Sequence, residues 1–534
     1  MKLSFFGAAR EVTGSCHYLE ACGRKIFIDC GLPQGVDVEL PLRFPVPAGE
    51  VDFVLLTHAH IDHAGRLPLL KKLGFKGKIY ATPATCDLAS IMLRDSAHIQ
   101  ESDAEWQNRK ARRSGRPEVE PLYTTPDALA VIADLIPCDY EQIVTLAPGL
   151  TARFRDIGHL LGSACIEVWA EESGETKKIV FSGDIGNAGQ PLLRDPVFIQ
   201  DADYVVMEAT YGDRDHTIPP DYAAELAAVI QRTFDRGGNV VIPAFAVGRT
   251  QEMLYFLRQV KERNLVTGHD DFLVYVDSPL ANEATTVFLR HQRDCYDQEA
   301  QDLLRRGINP IGFSGLKLSL TGADSKAIND VKRPLVIISA SGMCDAGRIR
   351  HHLKHNLWRK ESTIAFTGYQ AHGTVGRALL EGAGELRLFG ETVYVKAEIV
   401  RLSGISGHAG RNQLLEWVKA FSPTPKRVFI VHGETAVCDA FAAHLQAEYG
   451  IPTAVPEYSG VWDLAANRET DAGVPLRPSA KKPVRGKTRA PAYIRLLAIQ
   501  QRLSSLIGDA SGWANRDLNK LTDQIASLCA KWER

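Results

Sequence analysis

Apolar and β-branched residues cluster along the chain in short runs: VDFVLLT (51–57), KIVFSGD (178–184), YVVMEAT (204–210), NVVIPAF (239–245), FLVYVDS (272–278), PLVIISA (334–340), TIAFTG (363–368) and VFIVHGE (428–434). Runs of this length, rich in Val and Ile and closed by Gly, Pro, Ser or Asp, read as buried strands. Between them lie stretches with helical spacing, DYAAELAAVIQRTFDRGG (221–238), stopped by paired glycines, and RTQEMLYFLRQVKER (249–263). Strands alternating with helices predict an α/β protein. The residues that close the strands carry the chemistry: His58, Asp184, Glu208, Asp277, Ser341 and His432. Open α/β sheets bind their ligands at such strand ends.

The strand pattern stops near residue 466, where RETDAGVPLRPSAKKPVRGKTRAPAY begins. Proline and basic residues in that density predict a linker over 466–492. Its charge run, Lys481, Lys482, Arg485, Lys487 and Arg489, reads either as a solvated tail or as a segment that holds nucleic acid by its phosphates. Beyond it, two helix-period segments flank GDASG and predict a helical hairpin over 493–534, a surface compatible with a homodimer.

At 534 residues, 45% hydrophobic and 24% charged, the chain has room for two or three globular domains. No apolar run approaches the ~20 residues that span a bilayer, and the first twenty residues lack the charged and apolar regions of a secretory signal, so no membrane partner and a cytoplasmic location are expected. Ten scattered cysteines with no C-x-x-C pair argue against a thiolate zinc site or a disulfide scaffold. A net charge of −2 provides no overall basic footprint for nucleic acid, so any such attraction must be local, and bound metal ions would add positive charge that this count omits.

The densest chemical signal is His58-Ala-His60-Ile-Asp62-His63, directly after a strand. Three imidazoles and a carboxylate within six residues suit zinc, and one loop of this order can serve two ions, with His58 and His60 toward one and Asp62 and His63 toward the other. The alternative, a solvated turn with Asp62 capping a helix, accounts for one such residue but not for four.

This H-x-H-x-D-H loop resembles the signature of the metallo-β-lactamase superfamily. The resemblance implies further ligands at His159 in DIGHLLGSA and at Asp184 in VFSGDIG, the latter shared between two Zn2+ ions, and an orienting role for Asp29 in KIFIDCG. Later motifs resemble those of the β-CASP group: Glu208 in MEATYGDR, His408 in SGHAGRNQL, His432 in VFIVHGE, and, in order between the first two, PAFAVGRTQEML, VDSPLA, SASGMCDAGR and GYQAHGT. The resemblance covers roughly residues 1 to 460. It is to the endonuclease subunit of pre-mRNA 3′-end cleavage and its prokaryotic relatives, and histidine at 432 is the choice of the RNA-acting members.

That family implies an αββα sandwich formed by 1–207 and 386–465, with a β-CASP α/β domain inserted over 208–385. It implies a zinc-dependent ribonuclease acting on single-stranded RNA, endonucleolytic with 5′ exonuclease action as the other mode, and leaving 3′-hydroxyl and 5′-phosphate ends. His58, His60, His159 and Asp184 would hold one ion, and Asp62, His63, Asp184 and His432 the other. His408, Glu208 and Asp62 would be catalytic, with His408 protonating the leaving 3′ oxygen while Glu208 orients it. Ser341, Gly342, Arg249, Arg348 and His372 are candidate substrate contacts. His351, His352 and His355 read as helix-face residues and His98 as structural, because the zinc set is complete without them. Three rival readings share the platform: a small-molecule hydrolase such as a lactonase or thioesterase, disfavoured by the insert; a non-catalytic RNA-processing scaffold, disfavoured by the intact ligand set; and a DNA nuclease, disfavoured by His432.

Overall fold

In a computed structural model, residues 1–34, 43–217, 221–371, 373–402, 406–475 and most of 499–532 are described. All eight strand runs and both helices expected from the hydrophobic pattern form, the helices as Tyr222–Asp235 and Arg249–Glu262. Three sheets organise them.

The first sheet has eight strands in the order Arg468–Asp471, Val461–Asp463, Lys2–Phe5, His17–Ala21, Arg24–Ile28, Phe53–Leu55, Lys78–Ala81 and Leu135–Pro137. The second has seven: Thr453–Ala454, Arg427–Val431, Tyr204–Glu208, Glu175–Phe181, Ala164–Glu172, Leu150–Asp156 and Ile143–Ala147. Alternate side chains of the two meet in a dry core, with Leu3, Phe5, Leu19 and Ile26 from one and Phe154, Ile166, Phe181, Val206 and Phe429 from the other. The outer faces are closed by helices. Pro83–Ser114 lies over Val54 and Ile79, and Arg411–Lys419 with Thr435–Tyr449 lies over Val205, Met207 and Val428. This is the expected αββα sandwich.

The third sheet is the inserted domain, six strands in the order Leu316–Leu318, Leu273–Val276, Leu335–Ser339, Val240–Pro243, Thr363–Phe366 and Glu398–Arg401, every pairing parallel. Buried on both faces, these strands read as continuous Val and Ile runs rather than alternating ones. The last strand lies beyond the expected boundary at 385: it is short, only half-buried, and bounded by Glu398 and Arg401, which weakens the apolar signal.

Two other differences arise at the tail. Residues 468–471 were expected to open the linker, yet they pair with Val461–Asp463 as an edge strand; RETD is exposed throughout and hydrogen bonding alone, not burial, makes it a strand. Most of the expected linker, including Lys481, Lys482, Arg485, Lys487 and Arg489, lies outside the described residues. Of the expected hairpin, the helix Asn515–Trp532 is present and none of its described residues is buried. Among the described residues no helix is long and apolar enough to cross a membrane.

The inserted domain is pinned by one buried carboxylate. Asp277, at the end of strand Leu273–Val276, is fully buried; it accepts from Arg348 Nη1 at 2.7 Å, His352 Nε2 at 2.6 Å and Ser325 Oγ at 2.6 Å. Burial opposes its charge, but these donors outweigh it and hold the carboxyl well below the usual range. Removing one member of a buried, fully bonded ion cluster costs about 3–5 kcal/mol. Asp277→Ala is therefore expected to lower the unfolding free energy of the inserted domain by that order, read as a lower urea midpoint at unchanged slope, and full retention of the midpoint would refute the role. Because the folded pKa is depressed, the stabilisation is present above the unfolded value of about 4 and fades as pH falls below it. The variant's stability should accordingly vary less with pH in that acid range than that of the native chain.

Candidate metal centre and cleft

Strand ends from both sandwich sheets deliver the candidate ligands. His58, His60, Asp62 and His63 follow strand Phe53–Leu55, Asp184 follows Glu175–Phe181, and His432 follows Arg427–Val431. The metal loop folds over Gly31, where a Cβ would stand 1.6 Å from the carbonyl oxygen of Asp62. Only a glycine lets the two backbones approach this closely, which explains the Gly in DCG.

Two donor sets result, and Asp184 belongs to both. On its Oδ2 side, His58 Nε2 lies at 3.4 Å and His159 Nε2 at 3.5 Å, while His60 Nδ1 is 3.1 Å from His58 Nε2 and 3.2 Å from His159 Nε2. On its Oδ1 side, His63 Nε2 lies at 3.3 Å and His432 Nε2 at 3.4 Å; these two nitrogens are 3.1 Å apart, and Asp62 Oδ2 is 3.7 Å from His432 Nε2. The seven residues thus form two candidate metal-binding groups.

The opposite nitrogen of four rings is anchored. His63 Nδ1 lies 2.7 Å from Asp29 Oδ2, His159 Nδ1 donates to Gly407 O at 2.9 Å, His58 Nδ1 is 3.1 Å from Thr57 Oγ1, and His432 Nδ1 is 3.1 Å from Thr210 Oγ1. Asp29 also accepts from the amide and hydroxyl of Thr57, so one carboxylate orients His63 directly and His58 through Thr57. Such anchors fix ring orientation and turn the remaining lone pair inward. Burial drives His58, His60 and His159 below the ordinary imidazole value, which keeps them neutral and able to donate to a metal.

Beside this centre, His408 Nδ1 sits 3.0 and 3.2 Å from the two oxygens of Glu208, a wholly buried residue that also accepts from the amide of Ile185 at 2.6 Å. The His408 ring lies 4.5 Å from that of His159. Burial alone would depress His408, but the facing Glu208 carboxylate overrides it and raises the imidazole to about 9.

These groups open onto a cavity of about 270 Å³ between sandwich and insert. His60, His159, Tyr211, Arg214 and His408 line one wall, and Phe245, Arg249, Gly342, Met343, Thr367 and Tyr369 the other. Of the substrate contacts expected from sequence, Arg249 and Gly342 border the cavity, with Arg249 also 2.8 Å from Glu252. Arg348 is instead bound to Asp277, and Ser341 Oγ bonds to Ala346 O at 3.2 Å; neither lines the cavity. His372 lies outside the described residues. His98 is exposed, His351 stacks on Phe389 at 4.3 Å, and His352, expected on the helix face, is buried against Asp277. Sequence reasoning passed over Thr57, Thr210, Tyr211, Phe245 and Tyr369. Thr57 and Thr210 adjoin motif residues and were within reach; the aromatic residues carried no spacing signal.

The comparisons agree with this geometry. The chain matches the metallo-beta-lactamase superfamily over residues 9–269, the Beta-Casp domain over 250–379 and the Zn-dependent metallo-hydrolase RNA specificity domain over 392–456. It is 38% identical to Ribonuclease TTHA0252 of Thermus thermophilus, across 81% of this chain and 93% of that protein. It is 30% identical to the transcription termination factor FttA of Methanocaldococcus jannaschii and 31% identical to that of Methanosarcina mazei, each across 85% of this chain and 70% of the relative. With the sandwich, the inserted parallel sheet and the His/Asp donor cluster in place, the chain belongs to the β-CASP ribonucleases of the metallo-β-lactamase superfamily and is a metallo-hydrolase.

Proposed function

We propose that this chain is a zinc-dependent ribonuclease that makes internal cuts in single-stranded RNA and leaves 3′-hydroxyl and 5′-phosphate ends. The observation that carries the reading is the pairing of two donor sets through Asp184 with His408–Glu208 at their edge, all beside one cleft.

The donors fit zinc. A tetrahedral ion with bonds of about 2.0–2.2 Å sets its ligand atoms about 3.3–3.6 Å apart. The donor separations run from 3.1 Å for His58–His60 to 3.7 Å for His432–Asp62. Asp184 Oδ1, buried and without a hydrogen bond among the described residues, is an acceptor that calls for a cation. Five imidazoles in seven ligands disfavour magnesium and calcium, which take oxygen. His58, His60, His159 and Asp184 would hold one ion, and Asp62, His63, His432 and Asp184 the other. Two such ions supply a water of lowered pKa and positive charge against the phosphate oxygens.

The chain's own residues do the rest. When the P–O3′ bond breaks, charge develops on the departing oxygen, and His408 donates a proton to it. Glu208 holds Nδ1, which leaves Nε2 for the substrate, and its charge keeps the imidazole protonated near neutral pH. Arg249, at the start of helix Arg249–Glu262, and the backbone of Gly342 are the candidate phosphate contacts on the opposite wall. The ten cysteines, all free, support a reducing, cytoplasmic setting.

Metal-loaded protein incubated with end-labelled single-stranded RNA and DNA of one sequence should cut the RNA internally and spare the DNA. His408→Ala should cut slower by about 10²–10⁴-fold at unchanged metal content. Intact RNA with both metals bound would overturn the ribonuclease reading in favour of a small-molecule hydrolase or a scaffold. Asp29→Ala should weaken metal retention about 10- to 100-fold, measured as metal content after dialysis against graded chelator; equal retention would remove Asp29 from the orienting role.

A further inference from the structure

Phe245 and Tyr369 are 46% and 44% exposed, yet both line the cavity beside the metal centre rather than the outer surface. They stand just past neighbouring strands of the inserted sheet, Val240–Pro243 and Thr363–Phe366. Both strands run in the same direction, so their C-terminal ends, the usual ligand edge of a parallel sheet, present these two rings to the sandwich wall.

The contrast with Tyr211 on the facing wall is informative. Tyr211 is enclosed by His216 at 4.5 Å, His408 at 6.1 Å and the Arg214 guanidinium at 4.7 Å. Phe245 and Tyr369 have no ring partner among the described residues.

The Phe245 ring is nonetheless held in place. Its Cδ2 and Cε2 stand 3.1 and 3.2 Å from where a Cβ on Gly342 would lie, so the absence of a side chain at 342 lets the ring rest on that backbone. The Phe245 carbonyl accepts from both the amide and the hydroxyl of Thr250, at 3.2 and 2.8 Å, which fixes the loop at the head of its helix. A positioned aromatic ring with an open face, inside a cleft that also presents Arg214, Arg249 and His408, matches the chemistry of a flat, unsaturated ligand that carries negative charge. Bases of an unpaired strand are such ligands, and stacking accepts any of them.

Building on the ribonuclease reading, we propose that Phe245 and Tyr369 form a base-stacking subsite that grips unpaired nucleobases next to the cleaved phosphate. Paired bases keep their faces inside the helix and cannot enter it, so the subsite selects single strands without selecting sequence.

The test uses the full-length His408→Ala protein, loaded with zinc, and oligouridylates of ten nucleotides that each carry one 5-iodouridine at a different position. Near-ultraviolet light joins this base to aromatic rings stacked on it. Adducts located by peptide mass spectrometry on Phe245 and Tyr369, at one or two adjacent positions of the strand, are expected. Adducts confined to other residues would overturn the subsite. In the otherwise native protein, Phe245→Leu and Tyr369→Leu should each raise KM for single-stranded RNA about 10- to 100-fold with kcat changed far less, and Phe245→Tyr should restore KM. An unchanged KM in both leucine variants, at native metal content, would also overturn it. The two readings fail separately: adducts on both rings without RNA cleavage by the native enzyme would sink the ribonuclease reading and uphold stacking, whereas cleavage without such adducts would do the reverse.

Discussion

Asp184 presents each carboxylate oxygen to a different pair of imidazoles while almost wholly removed from solvent. A buried carboxylate with converging nitrogens on both sides is costly unless positive charge lies between them. The surrounding architecture serves that arrangement. Two sheets must end at the same edge for residues as distant in sequence as His58 and His432 to meet. The rings must also be turned inward, which Asp29, Thr57, Thr210 and the Gly407 carbonyl accomplish by holding the opposite nitrogens. The dry core of Phe5, Phe154, Phe181 and Phe429 keeps the two sheets from shifting against each other.

How much of this is legible in sequence depends on how local its cause is. The His58–His63 cluster is compact, with four candidate ligands inside six consecutive residues, so it stands out without a structure. His159, Asp184 and His432 are single residues whose meaning comes only from family motifs. The central strands are legible because both their faces are buried, giving unbroken Val and Ile runs. Of the edge strands, Glu398–Arg401 is only half-buried and Arg468–Asp471 is exposed throughout, so backbone pairing more than side-chain burial defines them. The cleft aromatics were hidden for a different reason: Phe245 and Tyr369 sit in loops, and nothing in their spacing separates an exposed ring from a core one.

Position at a strand end, taken alone, predicted chemistry too freely. Asp184, Glu208 and His432 reach the metal centre and its neighbours, whereas Asp277 lies within its own domain and binds Arg348 and His352. Both outcomes follow from one physical fact: a strand end frees backbone and side chain from the ladder, and a polar residue there must find partners. Whether those partners are substrate-facing or structural depends on what the neighbouring layer presents. At Asp277 the helix Ile349–Asn356 supplies Arg348 at its N-cap and His352 in its first turn, and Ser325 adds a third donor, which satisfies the carboxylate within the domain.

Chain order adds a temporal dimension to the site. One donor set is complete by residue 184, but the other requires His432, and His408 also follows the insert. A ribosome adding about 5–20 residues per second needs roughly 12 to 50 s to travel the 248 residues between Asp184 and His432. Throughout that interval the nascent chain, tethered beside messenger and ribosomal RNA, lacks the complete second donor set, and for most of it lacks His408, the proposed general acid, as well. An enzyme assembled in this order cannot complete its set of candidate site residues until the insert and the returning sandwich segment up to His432 have been made.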